Sequence, residues 1–138
     1  MKIYHLKLFR KPHSKPFVVA TWYRPPDSHT EIFAHFESLI GKLDSQGAEF
    51  YLLGDLNCNL ASFTIDNNTS LLTSIAEVYG LHQLIDEPTR ITSLTSTLID
   101  AIFTNRLEEL FVLGSVMLAL VTIVLFTLIV NFLLTINF

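Results

Sequence analysis

Charge is distributed very unevenly along this chain. All 9 Lys or Arg residues and all 13 Asp or Glu residues lie before position 110, and residues 110–138 carry no charged side chain. An uncharged, apolar stretch of more than about 20 residues is long enough to cross the hydrocarbon core of a bilayer. The sequence therefore predicts a soluble α/β region at 1–109 and an apolar tail at 110–138, with a transmembrane helix at about 111–134 because a helix satisfies its own backbone in lipid.

Composition limits what the 1–109 region can be. Its length allows one domain, large enough to bury a core but short for a large α/β enzyme. The net charge of −4 excludes a general electrostatic attraction to nucleic acid. The single cysteine, Cys58, excludes an internal disulfide and a zinc site built from cysteines. Any contact with DNA has to be local, near the basic residues Lys7, Arg10, Lys11, Lys15 and Arg24.

Hydrophobic periodicity predicts alternating strands and helices. Apolar runs or alternation predict strands at 3–9, 17–23, 50–53, 81–85 and 97–104, and apolar residues at helical spacing predict helices at 29–44 and 68–79. Ser28 and Glu31 have the spacing of a capping box before the first helix. Gly80 is placed to end the second helix. Alternation of this kind is typical of a layered α/β sheet.

The stretch Leu52-Leu53-Gly54-Asp55-Leu56-Asn57 places polar residues at the end of a buried strand. In an extended chain, residues two apart point to the same side. Asp55 could then act on a nucleophilic water, and Asn57 could hold a phosphate oxygen or orient that water. The alternative is a strand-to-turn junction in which both are ordinary turn formers. A calcium loop of the EF-hand type beginning at Asp55 is excluded, because its sixth position is Leu60 rather than glycine.

Four motifs occur in order along the chain. They are Trp22-Tyr23-Arg24-Pro25-Pro26-Asp27, Gly54-Asp55-Leu56-Asn57, the stretch from Asp86 to Thr92, and the stretch from Thr97 to Asn105. Together they closely resemble the endonuclease/exonuclease/phosphatase superfamily, and within it the endonuclease domain of LINE-type (non-LTR) retrotransposon polyproteins. The resemblance covers roughly residues 3–109. It implies a partial four-layered α/β sandwich of the DNase I-like kind, followed here by the apolar C-terminal helix.

The resemblance also implies roles for individual residues. Tyr23 matches a tyrosine that contacts the scissile phosphate, Asp55 the aspartate that activates water, and Asn57 the asparagine that stabilises the phosphate. Asp100 matches the aspartate of a late strand that supports the active site. Arg24 and Thr89 match substrate-phosphate contacts more weakly. For Tyr23 the alternative is an aromatic at the edge of the core, and for Asp100 it is a cap or a pairing within the sheet.

The chain departs from the family pattern at two places. An early Asn and a metal-binding Glu of the family have no counterpart here, and the apolar tail stands where a Ser-Asp-His triplet is expected. The family hydrolyses phosphodiesters with Mg²⁺, and its retrotransposon branch nicks DNA. The resemblance therefore implies Mg²⁺ as cofactor and DNA as partner, but it assigns no metal ligand in this chain and predicts an incomplete, inactive fragment. Met117 to Thr127 can be written as a shifted reading frame of a family-like Ser-Asp-His peptide, so a frameshift is one explanation of the tail.

A second function class remains open from the sequence. The chain could be a single-pass membrane protein anchored by its C-terminal tail, with a soluble part that serves only as a binding module. In that case residues 111–134 contact the membrane, and the protein is membrane-localised. Without a functional tail, the resemblance implies a nuclear or cytoplasmic retrotransposon relic.

Overall fold

The computed structural model describes residues 3–8, 17–64 and 66–107. Nearly all of them belong to a compact unit, Met1–Arg106, and Leu107–Phe138 form a separate unit. The predicted helix at 111–134 lies outside the described residues and stays a prediction. Among the helices in the described part of the chain, none combines the length and hydropathy that a membrane crossing requires.

The main sheet contains five strands. In chain order, the strands of the described residues are β1 Ile3–Leu8, β2 Phe17–Tyr23, β3 Glu49–Asp55, β4 His82–Gln83, β5 Arg90–Ile91, β6 Ser96–Thr97 and β7 Asp100–Thr104. The sheet order is β1-β2-β3-β7-β4, and β5 pairs with β6 in a separate two-stranded ribbon. β2 and β3 run parallel, and β7 is antiparallel to β3. The prediction that β2, β3 and the late strand are neighbours is confirmed.

Two helices connect the strands and cover one face of the sheet. They are α1 Ile32–Ser45 and α2 Asn67–Val78. The apolar residues of both helices form one buried cluster with alternate residues of β2, β3 and β7, namely Ala20, Trp22, Phe50, Leu52, Ala101 and Phe103. Within it, the Trp22 and Phe36 rings meet edge to face with centroids 4.9 Å apart. The predicted α/β class is therefore confirmed, with one sheet layer and one helix layer in the described residues.

The opposite face of the central strands is buried as well. Val19, Leu53 and Ile102 are 1%, 2% and 6% exposed, although they alternate with the residues that face the helices. Burial on both faces explains why these strands read as continuous apolar runs rather than as an alternating pattern.

The ends of the helices agree only partly with the sequence. The capping box at Ser28 is wrong: α1 begins at Ile32, and Glu31 at its N-cap makes no side-chain cap hydrogen bond. Two turns precede the helix instead: Ser28 N–H donates to the Pro25 carbonyl at 3.1 Å, and Ile32 N–H donates to the His29 carbonyl at 3.2 Å. These turns satisfy the backbone that a capping side chain would otherwise serve.

Gly80 ends α2 as the sequence predicts. Its φ is +59°, a left-handed value that favours glycine. Its N–H donates to the Glu77 carbonyl at 3.2 Å, and Leu81 N–H donates to the Ala76 carbonyl at 2.8 Å. This pair of bonds is a Schellman motif, which closes the last helical turn. At the other end of α2, the Asp66 carboxylate accepts a hydrogen bond from Thr69 N–H at 2.7 Å.

Asn105 extends the contact between β3 and β7 beyond the last paired strand residue. Its side-chain Oδ1 accepts from Phe50 N–H at 3.1 Å, and its Nδ2 donates to the Ala48 carbonyl at 2.9 Å. One carboxamide thus provides both a donor and an acceptor to the β3 backbone, as a paired strand residue would. The register of β7 on β3 is therefore fixed at the end opposite to Asp55 and Asp100.

Candidate active site at one end of the sheet

Three predicted site residues lie in one row across the sheet. Tyr23 is the register partner of Asp55 between the parallel strands β2 and β3, and Asp55 is the partner of Asp100 between β3 and β7. Residues directly opposite each other on neighbouring strands present their side chains on the same face. The predicted convergence of Asp55 and Asp100 is confirmed, and Tyr23 lies in the same row. Their catalytic roles stay predictions.

Asp55 and Asn57 are brought together by a turn. β3 ends at Asp55, and Asn57 adopts a left-handed conformation with φ of 48°. Asn57 N–H donates to Asp55 Oδ1 at 3.0 Å, which is the side-chain-to-backbone bond of an Asx-turn. The interpretation of these residues as alternate positions of one extended strand is therefore wrong, and the alternative that they form a turn is confirmed as local structure.

The side chain of Asn57 has a defined orientation. Its Nδ2 donates to the backbone carbonyl of Arg24 at 2.8 Å. A carbonyl oxygen can only accept, so the carboxamide atom facing it has to be the nitrogen. The bond ties the turn after β3 to the residue that follows β2.

Arg24 has partners other than the phosphate that the resemblance implied. Its side chain is buried, with 1% of its surface exposed. Nη1 donates to the Leu56 carbonyl at 3.1 Å and to the Asn57 carbonyl at 3.4 Å, and Nη2 donates to the Pro26 carbonyl at 3.4 Å. The guanidinium carbon lies 5.4 Å from the centre of the Phe33 ring. Arg24 therefore lies beneath the turn rather than on the surface that a substrate would meet.

Thr89 lies beside Asp100 in the structure. Its Oγ1 accepts hydrogen bonds from the backbone N–H groups of Ile99 at 3.3 Å and Asp100 at 3.2 Å. These bonds fix the start of β7. The Thr89 side chain is exposed, and its hydroxyl proton can still be donated to another group, so the predicted phosphate contact stays a prediction.

Two residues that sequence reasoning left without a role also shape this end of the sheet. Asn59 Oδ1 accepts from Leu98 N–H at 3.1 Å and from Ala61 N–H at 3.3 Å, which joins the loop after β3 to the segment before β7. Gly54 pairs with Trp22 so closely that an added Cβ would lie 1.7 Å from the Trp22 carbonyl oxygen. The glycine immediately before Asp55 was the available signal, because glycine inside a strand often marks a close approach of another backbone.

Tyr23 reaches outward from this end of the sheet. Its side chain is 43% exposed, whereas Trp22 beside it is 5% exposed. Alternation along β2 sends Trp22 to the helix face and Tyr23 to the face shared with Asp55. The alternative that Tyr23 is an aromatic at the edge of the core is compatible with this partial exposure and stays open, because exposed apolar residues are common.

The pKa of the Asp55 carboxyl is raised above its usual value. Burial is the main cause, and the neighbouring Asp100 carboxylate adds to the effect. The hydrogen bond from Asn57 N–H and the positive charges of Arg90 and Arg24 act in the opposite direction. A half-buried carboxylate next to a second carboxylate is the kind of perturbed group found at functional sites, although structural networks produce it too.

Because the pKa of Asp55 is raised in the folded state, its carboxyl group destabilises the fold at neutral pH. A carboxyl whose pKa is higher in the folded state favours folding below its unfolded pKa, and that contribution is lost as the pH rises through the folded value. We expect Asp55→Asn, which retains an oxygen acceptor for Asn57 N–H, to gain stability relative to the parent chain as the pH rises above the ordinary aspartate pKa of about 4, until the pH exceeds the raised pKa of the folded state. Urea unfolding followed by circular dichroism at several pH values measures the difference.

Asp44→Asn is the matched control for that experiment, because Asp44 is exposed in the last turn of α1, away from Asp55. Its stability difference from the parent chain should not follow the same pH course. A difference for Asp55→Asn that is constant over the whole range would contradict the assigned cause.

Cys58 is not a candidate nucleophile. It is fully buried, and its thiol donates to the Leu56 carbonyl at 3.4 Å. Burial raises the pKa of the thiol to about 11. Because the thiolate is the reactive form, a buried thiol of this kind is inert at neutral pH.

Comparison with known proteins gives a match in structure. No protein-family model matches the chain, and no curated protein sequence matches it at a significant level. Among solved structures, it is similar to the endonuclease domain of TRAS1, a telomere-specific non-LTR retrotransposon, with a TM-score of 0.56 and 17% sequence identity. The chain has the fold of part of that endonuclease domain. The resemblance inferred from the sequence motifs is thus confirmed at the level of the fold.

The similarity covers 75% of this chain and 56% of the TRAS1 endonuclease domain, so the chain matches little more than half of that domain. An endonuclease/exonuclease/phosphatase family protein from Bacteroides thetaiotaomicron also matches, with a TM-score of 0.43 and 14% identity over 65% of this chain and 35% of that one. Within this endonuclease-like fold, Tyr23, Asp55 and Asp100 form the row at the sheet end described above.

Proposed function

We propose that the described residues carry part of a Mg²⁺-dependent phosphodiester-hydrolysing site of retrotransposon origin, and that this chain by itself is catalytically incomplete. The observation that carries the proposal is the row of Tyr23, Asp55 and Asp100 at one end of the sheet. The fold shared with the TRAS1 endonuclease domain supports it. DNA is the proposed substrate.

Each residue of the row has a chemical role in this proposal. Asp55, held by Asn57 N–H, accepts a proton from the attacking water. The exposed Tyr23 hydroxyl donates a hydrogen bond to a phosphate oxygen. Asp100 supports the site from the neighbouring strand. Arg90 is exposed and close enough to lower the pKa of Asp55, so it supplies local positive charge that the chain as a whole lacks.

The donor set fits a hard divalent cation only in part. Asp55 and Asp100 offer carboxylate oxygens, which Mg²⁺ prefers, and Mg²⁺ keeps several waters when it is bound through few carboxylates. A divalent cation held by these carboxylates would relieve the repulsion that helps to raise the pKa of Asp55. Among the described residues, no group of three or more His, Cys, Asp or Glu side chains is arranged to hold a metal ion. Asp55 and Asp100 would therefore hold Mg²⁺ weakly, where it would offset negative charge on a phosphodiester.

Paramagnetic Mn²⁺, used in place of Mg²⁺, tests this proposal directly. In the full 138-residue chain, ¹⁵N-labelled and purified in mild detergent, we expect Mn²⁺ to broaden the amide signals of Asp55, Asn57 and Asp100 before those of the rest of the sheet. Asp55→Asn and Asp100→Asn should each raise the Mn²⁺ concentration needed by about tenfold or more, the loss typical of a damaged metal site.

The control is again Asp44→Asn, an exposed carboxylate that precedes β3 and so lies toward the opposite end of that strand. It should leave the broadening unchanged. Broadening that begins elsewhere in the chain, or that persists in both site variants, would defeat the proposal. A short DNA duplex added with Mg²⁺ should then shift the signals of Tyr23 and Arg90 in the parent chain.

A further inference from the structure

Arg24 is a buried charge, and none of its hydrogen-bond partners among the described residues is a carboxylate. It is the largest fully buried side chain in the described part of the chain, where its partners are backbone carbonyls and the face of Phe33. An arginine does not lose its proton, so burial is tolerated only where several acceptors meet the guanidinium. Its Nε, also buried, has no hydrogen-bond partner among the described residues. A group that is this costly to bury has to be held by the contacts it makes.

Those contacts converge on the segment 55–57. The Arg24 side chain donates to the carbonyls of Leu56 and Asn57, and its backbone N–H donates to the Asp55 carbonyl at 2.9 Å. In return, Asn57 Nδ2 donates to the Arg24 carbonyl at 2.8 Å. The side chain, the N–H and the carbonyl of one residue therefore all bind the same turn.

The turn held in this way has an unfavourable backbone conformation. Asn57 has φ of 48°, a left-handed value that non-glycine residues adopt at some cost. In the same turn, Asn57 N–H donates to Asp55 Oδ1 at 3.0 Å. If the turn opened, the Asp55 carboxylate would lose that bond and its fixed direction.

We propose that Arg24 is a positioning residue that holds Asp55 and Asn57 in place through the backbone carbonyls of the turn, and not a ligand of substrate phosphate. The catalytic meaning of this inference rests on the proposed function, because Asp55 and Asn57 are the residues being positioned. The structural claim does not depend on that function: the planar, forked guanidinium of Arg24, rather than its charge, holds the turn.

Replacing Arg24 with lysine distinguishes the effect of the forked guanidinium from the effect of its positive charge. Arg24→Lys keeps a positive charge on a long side chain, but an ammonium is a single point and cannot span carbonyls that the planar guanidinium reaches with different nitrogens. We expect the Asn57 amide in Arg24→Lys to exchange with solvent about tenfold faster or more, whereas the amides of Leu52 and Leu53 in β3 keep their protection. The Mn²⁺ concentration that broadens the Asp55 signal should rise as well.

Arg90→Lys is the control, because Arg90 is an exposed arginine near the same carboxylate. It should leave the exchange of the Asn57 amide unchanged. A folded Arg24→Lys chain with unchanged exchange at Asn57 would overturn the inference. Equal acceleration at Asn57, Leu52 and Leu53 would overturn it too, because it would show a general loss of stability rather than a role at the turn.

Asn57→Asp serves if Arg24→Lys does not fold. Aspartate tolerates the left-handed backbone as asparagine does, but its carboxylate cannot donate to the Arg24 carbonyl. The backbone amide at position 57 should then exchange faster while β3 stays protected. Unchanged exchange at that position would show that the contacts with Arg24 do not hold the turn. The exchange experiment needs no metal, so a parent chain that fails to bind Mn²⁺ would defeat the proposed function while the exchange rates still decide the role of Arg24.

Discussion

Gly54→Ala should lose at least about 3 kcal/mol of folding free energy, the upper end of the usual cost of overpacking. The added Cβ would lie 1.7 Å from the carbonyl oxygen and 2.7 Å from the carbonyl carbon of Trp22. Both atoms belong to the backbone of β2, so β2 and β3 have to separate at the point where they carry Tyr23 and Asp55. Urea unfolding followed by circular dichroism measures the loss.

Gly41→Ala is the control for this prediction. Gly41 lies inside α1, and the three atoms nearest to an added Cβ all belong to the Tyr79 side chain. The nearest is its hydroxyl oxygen at 3.0 Å, the far end of a group that can move. Alanine is better than glycine inside a helix by about 1 kcal/mol. This variant should therefore be neutral or stabilised, and a Gly54→Ala chain that is equally stable would show that the two strands are not as close as the structure has them.

The second large effect concerns catalysis. The 138-residue chain should show no Mg²⁺-dependent nicking of supercoiled plasmid DNA above its own Asp55→Ala variant. The resemblance implies that an early Asn, a metal-binding Glu and a Ser-Asp-His triplet contribute to such a site, and this chain contains none of them at the matching places. Losing one preorganised electrostatic donor costs on the order of 100–1000-fold in rate, and losing several leaves little to measure even though the losses are not additive.

The nicking assay needs a complete domain of the same fold as a positive control. Nicking by this chain that Asp55→Ala abolishes would contradict the expected inactivity. It would also show that other oxygen ligands serve the site, and Asp66 and Asp86 would be the first to replace. Nicking that survives Asp55→Ala would point to a contaminating nuclease instead.

The sequence predicted the strands and helices that have long apolar patterns. β2 and β3 were found because Phe17–Tyr23 and Phe50–Leu53 are nearly continuous apolar runs, and both helices because apolar residues recur on one face. The start of α1 was predicted wrongly because Ser28 is a residue type that often caps helices. In the structure Ser28 lies in a turn, and its N–H donates to the Pro25 carbonyl. Tertiary context decided the conformation there, which local residue preference cannot anticipate.

Short and exposed pairings were harder to predict. The ribbon of β5 and β6 was missed, and Thr97 was assigned to the same strand as Asp100, because the pairs Arg90–Ile91 and Ser96–Thr97 are too short and polar to give a period. The predicted strand at 81–85 is present only as His82–Gln83. At the site, the resemblance of the motifs to a known family singled out Tyr23, Asp55 and Asp100, and these three residues lie in one row across the sheet. The burial of Arg24 could not be anticipated, because arginine is ordinarily an exposed residue.

Asn105 has a consequence for the site at the other end of its strand. Side chains alternate along a strand, so a slip of one residue between β7 and β3 would turn Asp100 toward the helices and leave Asp55 opposite an apolar side chain. The bonds from Asn105 to Phe50 and Ala48 penalise such a slip. Asn105 thus helps to determine which residue of β7 lies opposite Asp55. A chain with one residue inserted or deleted between Asp100 and Asn105 could keep its sheet and still lose its site.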